Sequence, residues 1–200
     1  MSGSARIYQL KITLPYIEPA IWRRLEVPGH MTFSDLHDVI QVTMGWEDCH
    51  LWTFFVENTE IGPPAPAEFA MPGAPRPRSA DRTTIDEMLT GRRIRFRYVY
   101  DMGDDWLHDI KIEKVFAAET DVYYPRCTGG ARAGPLEDCG GFPGYMNLLE
   151  TLADPRHPDH EEMLEWAGGE WDAEAFDIDA VNAVLQPRKR KSAGSRKNRK

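Results

Sequence analysis

No window of eighteen apolar residues runs through this 200-residue chain, so no segment reads as a membrane-spanning helix. Cysteine is scarce: Cys49, Cys127 and Cys139 make an odd set. That argues against a disulfide framework and fits a reducing compartment. No Cys-x-x-Cys pair occurs, which removes the usual zinc ribbon. The phosphate-cradling Gly-x-x-x-x-Gly-Lys-Ser/Thr loop, Gly-x-Gly-x-x-Gly and the Gly-x-Ser-x-Gly elbow are all missing. His-Glu-x-x-His is missing too, and "HPDH" at 157–160 does not replace it. The opening residues lack a basic region followed by an apolar run, so no secretory signal is expected and a cytoplasmic location is.

What is present can build a sizeable core: six Trp, seven Tyr and eight Phe. The net charge of −8 is uneven. The last fifteen residues, "QPRKRKSAGSRKNRK", hold eight Lys/Arg and no acid, leaving −16 for residues 1–185. Such a body repels nucleic acid on average, while Arg188, Lys189, Arg190, Lys191, Arg196, Lys197, Arg199 and Lys200 would attract phosphate.

Residues 7–14 alternate, with Tyr8, Leu10, Ile12 and Leu14 on one side, as a half-buried strand requires. "AIWRRLEV" at 20–27 reads as a second strand. Thr32 or Ser34 can cap a helix that Gly45 closes, with Phe33, Leu36, Val39, Ile40 and Met44 inward. His30 and His37 read as surface residues. Strands follow at 50–56, 93–100 and 106–115, with a short capped helix before the second. Six prolines make 62–79 a long exposed loop. "CTGGARAGPLEDCGGFPGY" reads as a glycine-rich loop, and helices are expected near 145–153, 160–167 and 178–185. The expected fold is therefore α+β: a mixed, mostly antiparallel sheet with a β-grasp-like ββαβ start packed on a helix, then a helical C-terminal part. One domain spans 1–185, its helical part at 145–185, followed by a disordered basic tail at 186–200.

Three clusters could carry chemistry. In "YDMGDDWLHDI", Asp101, Asp104, Asp105 and His108 surround a glycine turn; carboxylates with imidazole hold divalent metals or pass protons. The same residues also make good turns, and His108 shares a strand face with Trp106 and Ile110. Cys127, Glu137, Asp138 and Cys139 form the second cluster, and His157 and His160 the third, near a helix start marked by Pro158. His50 is a looser addition.

Three long stretches carry a resemblance: "EPAIWRRLEVPGHMTFSDLHDVIQVTMGWEDCHLWTF", "YVYDMGDDWLHDIKIEKV" and "GPLEDCGGFPGYMNLLETLADPRHPDHEEMLEW". Together they resemble the plasmid pRiA4b ORF-3-like family, from about Tyr8 to Leu185. Relatives ride in insertion elements under a resolvase-like label, but serine recombinase motifs are missing from this chain. The resemblance implies a fold and marked positions rather than a reaction. Those positions are Trp22, Arg23, Arg24, His50, Asp101, Gly103, Asp104, Trp106 and His108. They continue at Cys127, Pro135, Glu137, Asp138, Gly140, Gly141, Gly144, Tyr145, Asp154, Pro155, His157 and His160. Gly134 stands where a cysteine is common and Leu136 where a second proline is common.

Three functions follow as expectations. The first is a non-enzymatic module of plasmids or mobile elements that contacts nucleic acid or a protein, with the basic tail and Arg23/Arg24 as docking groups. The second is a metal-dependent hydrolase with Asp101, Asp104, His108, Glu137, Asp138, His157 and His160 in one polar pocket. A divalent metal would sit among His108, Cys127, His157 and His160. The third is a protein–protein adaptor docking through Pro63–Pro77.

Overall fold

The computed structural model describes residues 5–63, 76–89 and 95–186. The basic tail from Arg188 to Lys200 and most of the proline-rich loop lie outside the described residues.

Alternation at the start of the chain becomes strand β1 (Arg6–Thr13), which pairs antiparallel with β2 (Trp22–Pro28). Helix α1 (Phe33–Met44) begins at a reciprocal cap: the Thr32 hydroxyl accepts from the Asp35 amide, and the Asp35 carboxylate accepts from the Thr32 amide. Gly45, at φ 84°, closes it in the left-handed conformation that glycine adopts without Cβ strain. Strands β3 (Trp52–Val56), β4 (Thr59–Gly62) and β5 (Arg78–Ser79) follow, then the short helix α2 (Ile85–Met88). Next come β6 (Arg95–Tyr100), β7 (Trp106–Ala117) and β8 (Arg126–Ala131). Helices α3 (Gly141–Ala153), α4 (His160–Trp166) and α5 (Ile178–Leu185) complete the order.

All eight strands form one sheet, ordered β5-β4-β3-β6-β7-β1-β2-β8, antiparallel except between β4 and β5. The fold is α+β. The ββαβ order is present, but β3 does not pair with the β1–β2 hairpin; β6 and β7 lie between them.

One sheet face is apolar: Tyr8, Leu10, Ile12, Leu25, Phe54, Tyr98 and Ile110 are buried there. Phe33, Leu36 and Ile40 of α1 and Tyr145 of α3 join the same core, and Ile178 and Val181 of α5 pack against it. His37 also lies inside, 2% exposed, which corrects its reading as a surface residue. Its ring stacks on Trp52 at 4.0 Å, and its nitrogens meet the Tyr98 hydroxyl and the Asp48 carboxylate, each at 2.7 Å. The opposite face bears Gln9, Lys11, Thr13, Trp22, Arg24, Arg97 and Lys111, all half-buried or exposed.

Arg23 is buried as well, so it is not a docking group. Its guanidinium donates to the carbonyls of Thr43 (2.6 Å), Trp22 (2.9 Å) and Ala131 (2.9 Å), and it lies 4.1 Å over the Phe176 ring. No carboxylate pairs with it among the described residues. Burial lowers its pKa to about 10, still well above neutrality.

Strand β8 corrects the reading of 127–131 as loop. Its glycines are there for close approach: a Cβ on Gly130 would fall 2.4 Å from the Phe176 ring. The outer edge of β8 is covered by α5. The Asn182 side-chain amide accepts from the Cys127 amide at 2.8 Å and donates to the Cys127 carbonyl at 2.9 Å. At the far edge, β5 is two residues long. No helix among the described residues is long and apolar enough to cross a membrane.

Candidate metal centre

The β6–β7 turn, the loop after α1 and the segment before α3 meet at one end of the sheet. Asp101 N donates to Leu51 O at 2.9 Å, which joins the end of β6 to the start of β3. Asp101, at φ 57°, sits in the left-handed region that aspartate tolerates better than most residues. Its Oδ1 accepts from the Gly103 amide at 2.8 Å and shapes the turn, while its Oδ2 lies 3.6 Å from His50 Nε2. Asp101 is thus a buried carboxylate with one oxygen committed to the backbone and the other turned toward His50.

Asp138, also at positive φ, comes from the segment before α3 and places Oδ1 2.9 Å from the same His50 nitrogen. Neither approach has hydrogen-bond geometry, and among the described residues the buried His50 Nε2 has no hydrogen-bond partner. The three donor atoms lie within 4.8 Å of one another. Donors about 2.0–2.2 Å from a common cation stand roughly 3–3.5 Å apart, so the His50–Asp138 and His50–Asp101 spacings bracket that of a ligand set.

Two further groups adjoin it. Glu137 Oε1 accepts from the Tyr100 hydroxyl and from the Cys49 thiol, the latter at 3.2 Å. The Tyr100 hydroxyl accepts in turn from the Cys49 amide at 3.1 Å. Burial and then the Glu137 contact push the Tyr100 hydroxyl pKa upward; Glu137 chiefly raises the Cys49 thiol. Cys49, His50 and Glu137 form a second donor triplet sharing His50 with the first.

The loops are held from behind. Trp46 Nε1 donates to Pro135 O at 2.8 Å and its ring stacks on Tyr100 at 4.8 Å, tying the end of α1 to the segment that carries Glu137 and Asp138. The His37–Asp48 contact fixes the loop just before Cys49 and His50. A cleft of about 520 Å³ opens beside Asp138, between α3 and α4, with Asp159 and Glu162 at its rim and Leu148, Met163 and Trp166 along it.

Of the polar residues singled out in the sequence, the structure brings Asp101, Glu137 and Asp138 together around His50. The rest lie elsewhere. Asp104 Oδ2 accepts from Gly140 N at 3.0 Å, at the start of α3, where a carboxylate suits the positive helix end. The Asp104 carbonyl is the atom a Cβ on Gly141 would strike, at 2.4 Å. His157 Nδ1 accepts from Asp159 N at 3.2 Å, and His160 Nδ1 donates to Thr151 O at 3.1 Å; both organise the α3–α4 turn. Cys127 is buried, its thiol 3.3 Å from Gly129 O. Gly134 packs so tightly on Met44 that a Cβ would fall 2.1 Å from its carbonyl oxygen.

His108 is fully buried among Trp46 and Tyr98, and its Nδ1 donates to Trp106 O at 2.8 Å. The metal set His108, Cys127, His157 and His160 is therefore not brought together: no described triplet of donors includes any of them. Burial depresses the His108 pKa to about 3, so it stays neutral near pH 7. The unfolded chain binds a proton near pH 6.5 that the folded chain refuses until about pH 3. Stability from His108 is complete above pH 6.5 and is lost as pH falls toward 3, by about 1.4 kcal/mol per pH unit. Urea unfolding of wild type and His108→Gln should show that extra acid sensitivity only in wild type.

A family model described as plasmid pRiA4b ORF-3-like protein matches residues 6–180. The chain belongs to that family. A relative called uncharacterized protein y4hQ, from Sinorhizobium fredii (strain NBRC 101917 / NGR234), is 37% identical over 184 residues, covering 90% of this chain and 91% of that protein. A crystal structure of a protein of unknown function, MM3350 from Methanosarcina mazei Go1, is 36% identical with a TM-score of 0.77, covering 89% of this chain and 97% of that one. Almost the whole described fold lies within the stretch that the pRiA4b ORF-3-like family model matches.

Cys49 and Tyr100 are not among the candidate site residues that the sequence offers, and His50 stands at their margin. The one available signal was register: pairing Trp52 with Tyr100 sets the residues before β3 beside the turn after β6.

Proposed function

We propose that this protein binds one divalent cation through His50, Asp101 and Asp138 and uses it for metal-assisted hydrolysis. The observation that carries the proposal is the His50 imidazole, its buried Nε2 between two carboxylates yet hydrogen-bonded to neither. One nitrogen and two carboxylate oxygens suit manganese, iron or zinc, and three protein donors leave positions open for water and substrate. Glu137 supplies the base. Tyr100 and Cys49 hold one of its oxygens, and the other accepts no hydrogen bond among the described residues. The acidic and apolar cleft beside Asp138 favours a neutral or cationic amide or ester over a polyphosphate.

The test begins with calorimetric titration of metal-stripped full-length protein with Mn²⁺ and Zn²⁺, expecting one ion per chain. Glu137→Gln should keep that ion and lower hydrolysis of amide and ester substrates by about 10²–10⁴-fold. A wild-type chain that binds neither ion stoichiometrically would sink the centre. Full activity in Glu137→Gln would remove Glu137 as the base.

A further inference from the structure

The open face of the sheet carries a second feature, away from the cation centre. Arg95 of β6 stands directly opposite Lys111 of β7, Lys111 opposite Lys11 of β1, and Lys11 opposite Arg24 of β2. Residues opposed in register share a face, so four cations line up across four adjacent strands. With neighbouring strands about 4.8 Å apart, the row spans roughly 14 Å. Like charges placed opposite one another destabilise a sheet, so this row opposes folding unless anions offset it. Among the described residues, Glu113 pairs with Arg24 at 2.6 Å. That contact, then the charges of Lys11 and Lys111, hold the Glu113 carboxyl below its ordinary range. Three positive charges remain in excess, on a body whose net charge is −16 through residue 185.

A parallel row lies two residues further along these strands. Phe55 opposes Arg97, Arg97 opposes Asp109, Asp109 opposes Thr13, and Thr13 opposes Trp22. Phe55 and Trp22 flank it on either side, with Glu60 of β4 opposite Phe55 and Ala131 of β8 opposite Trp22. Phe55 is 40% exposed. Trp22 is half-buried, with Lys11 and Arg24 placed 5.0 and 5.1 Å from its ring centroid.

We propose that this open face binds single-stranded nucleic acid, its phosphates along Arg95, Lys111, Lys11 and Arg24 and its bases toward Phe55 and Trp22. A regularly charged strand with flat bases matches a cationic line beside aromatic ends; such grooves and platforms bind single strands with little sequence preference. An acidic peptide would satisfy the charges but would leave the rings without a partner.

The experiment uses the full chain, basic tail included, and a short fluorescent oligothymidylate as probe, with polyglutamate as the comparison. Lys11→Gln/Lys111→Gln removes two phosphate contacts. Its affinity should fall about tenfold or more, and the slope of log affinity against log salt should flatten by about 1.4. Phe55→Ala should weaken the oligonucleotide about fivefold or more and leave polyglutamate unaffected. Circular dichroism confirms folding, and the single variants Lys11→Gln and Lys111→Gln stand in if the double variant does not fold. Unchanged affinity in the lysine variants would overturn the proposal and leave all binding to the tail. Unchanged affinity in Phe55→Ala, or polyglutamate binding as tight and as dependent on the lysines, would overturn nucleic acid as the partner in favour of an acidic protein.

Discussion

His50→Ala is expected to weaken divalent-cation binding by at least about a hundredfold, because loss of a mere supporting residue around a metal already costs ten- to a hundredfold. Asp101→Asn is the sharper companion. The amide oxygen still accepts from the Gly103 amide, so the turn survives, while the charge facing His50 is gone. Its metal affinity should fall comparably at nearly unchanged stability. His108→Gln, His157→Ala and His160→Ala should each bind the cation as wild type does, since their histidines are committed to the core and to the α3–α4 turn. Calorimetric titration of Mn²⁺ into each purified variant decides this. Loss of the ion in His160→Ala with retention in His50→Ala would show that the donor set has been misplaced.

The second large effect is on stability. Arg23→Ala should cost about 3–5 kcal/mol, against about 5–15 kcal/mol for a whole domain. Three backbone carbonyls, at the end of α1, in β2 and in β8, lose a charged donor inside the protein, and Phe176 loses the group beneath its ring. Arg23→Lys keeps the charge but not the fork that reaches all three, so it should recover only part of the loss. The next residue gives the contrast. Arg24 is half-exposed and paired with Glu113 on the open face, so Arg24→Ala should change stability by no more than about 1 kcal/mol. Urea midpoints of the three variants provide the measurement. Equal midpoints for Arg23→Ala and Arg24→Ala would mean that the buried guanidinium joins nothing together.

Much of the scaffold was legible because its signals are local. Thr32, Asp35 and Gly45 mark both ends of α1 within a few residues of the backbone they cap, and β1 shows its two faces through simple alternation. Strand β8 was not legible, since Gly129 and Gly130 lack the side chains by which a strand announces itself; their reason is the bulk of Trp22 and Phe176 arriving from elsewhere. His37 misled for a related reason: a polar residue on a helix reads as exposed until Tyr98, Asp48 and Trp52 are seen to satisfy it. At the candidate centre, Asp101, Glu137 and Asp138 stood out by composition. His50 did not, because its significance depends on a strand register and on the Trp46–Pro135 contact, which join segments dozens of residues apart. His108 drew attention by residue type alone, and burial made it a packing residue instead.

The amide of Asn182 has a consequence beyond holding α5 in place. By accepting from the Cys127 amide and donating to its carbonyl, it occupies the backbone groups that a further strand would need there. With β5 only two residues long at the other end, the sheet offers little template for recruitment of a second chain at either margin. Among the described residues, neither margin is thus a ready seed for a growing fibril while the fold is intact.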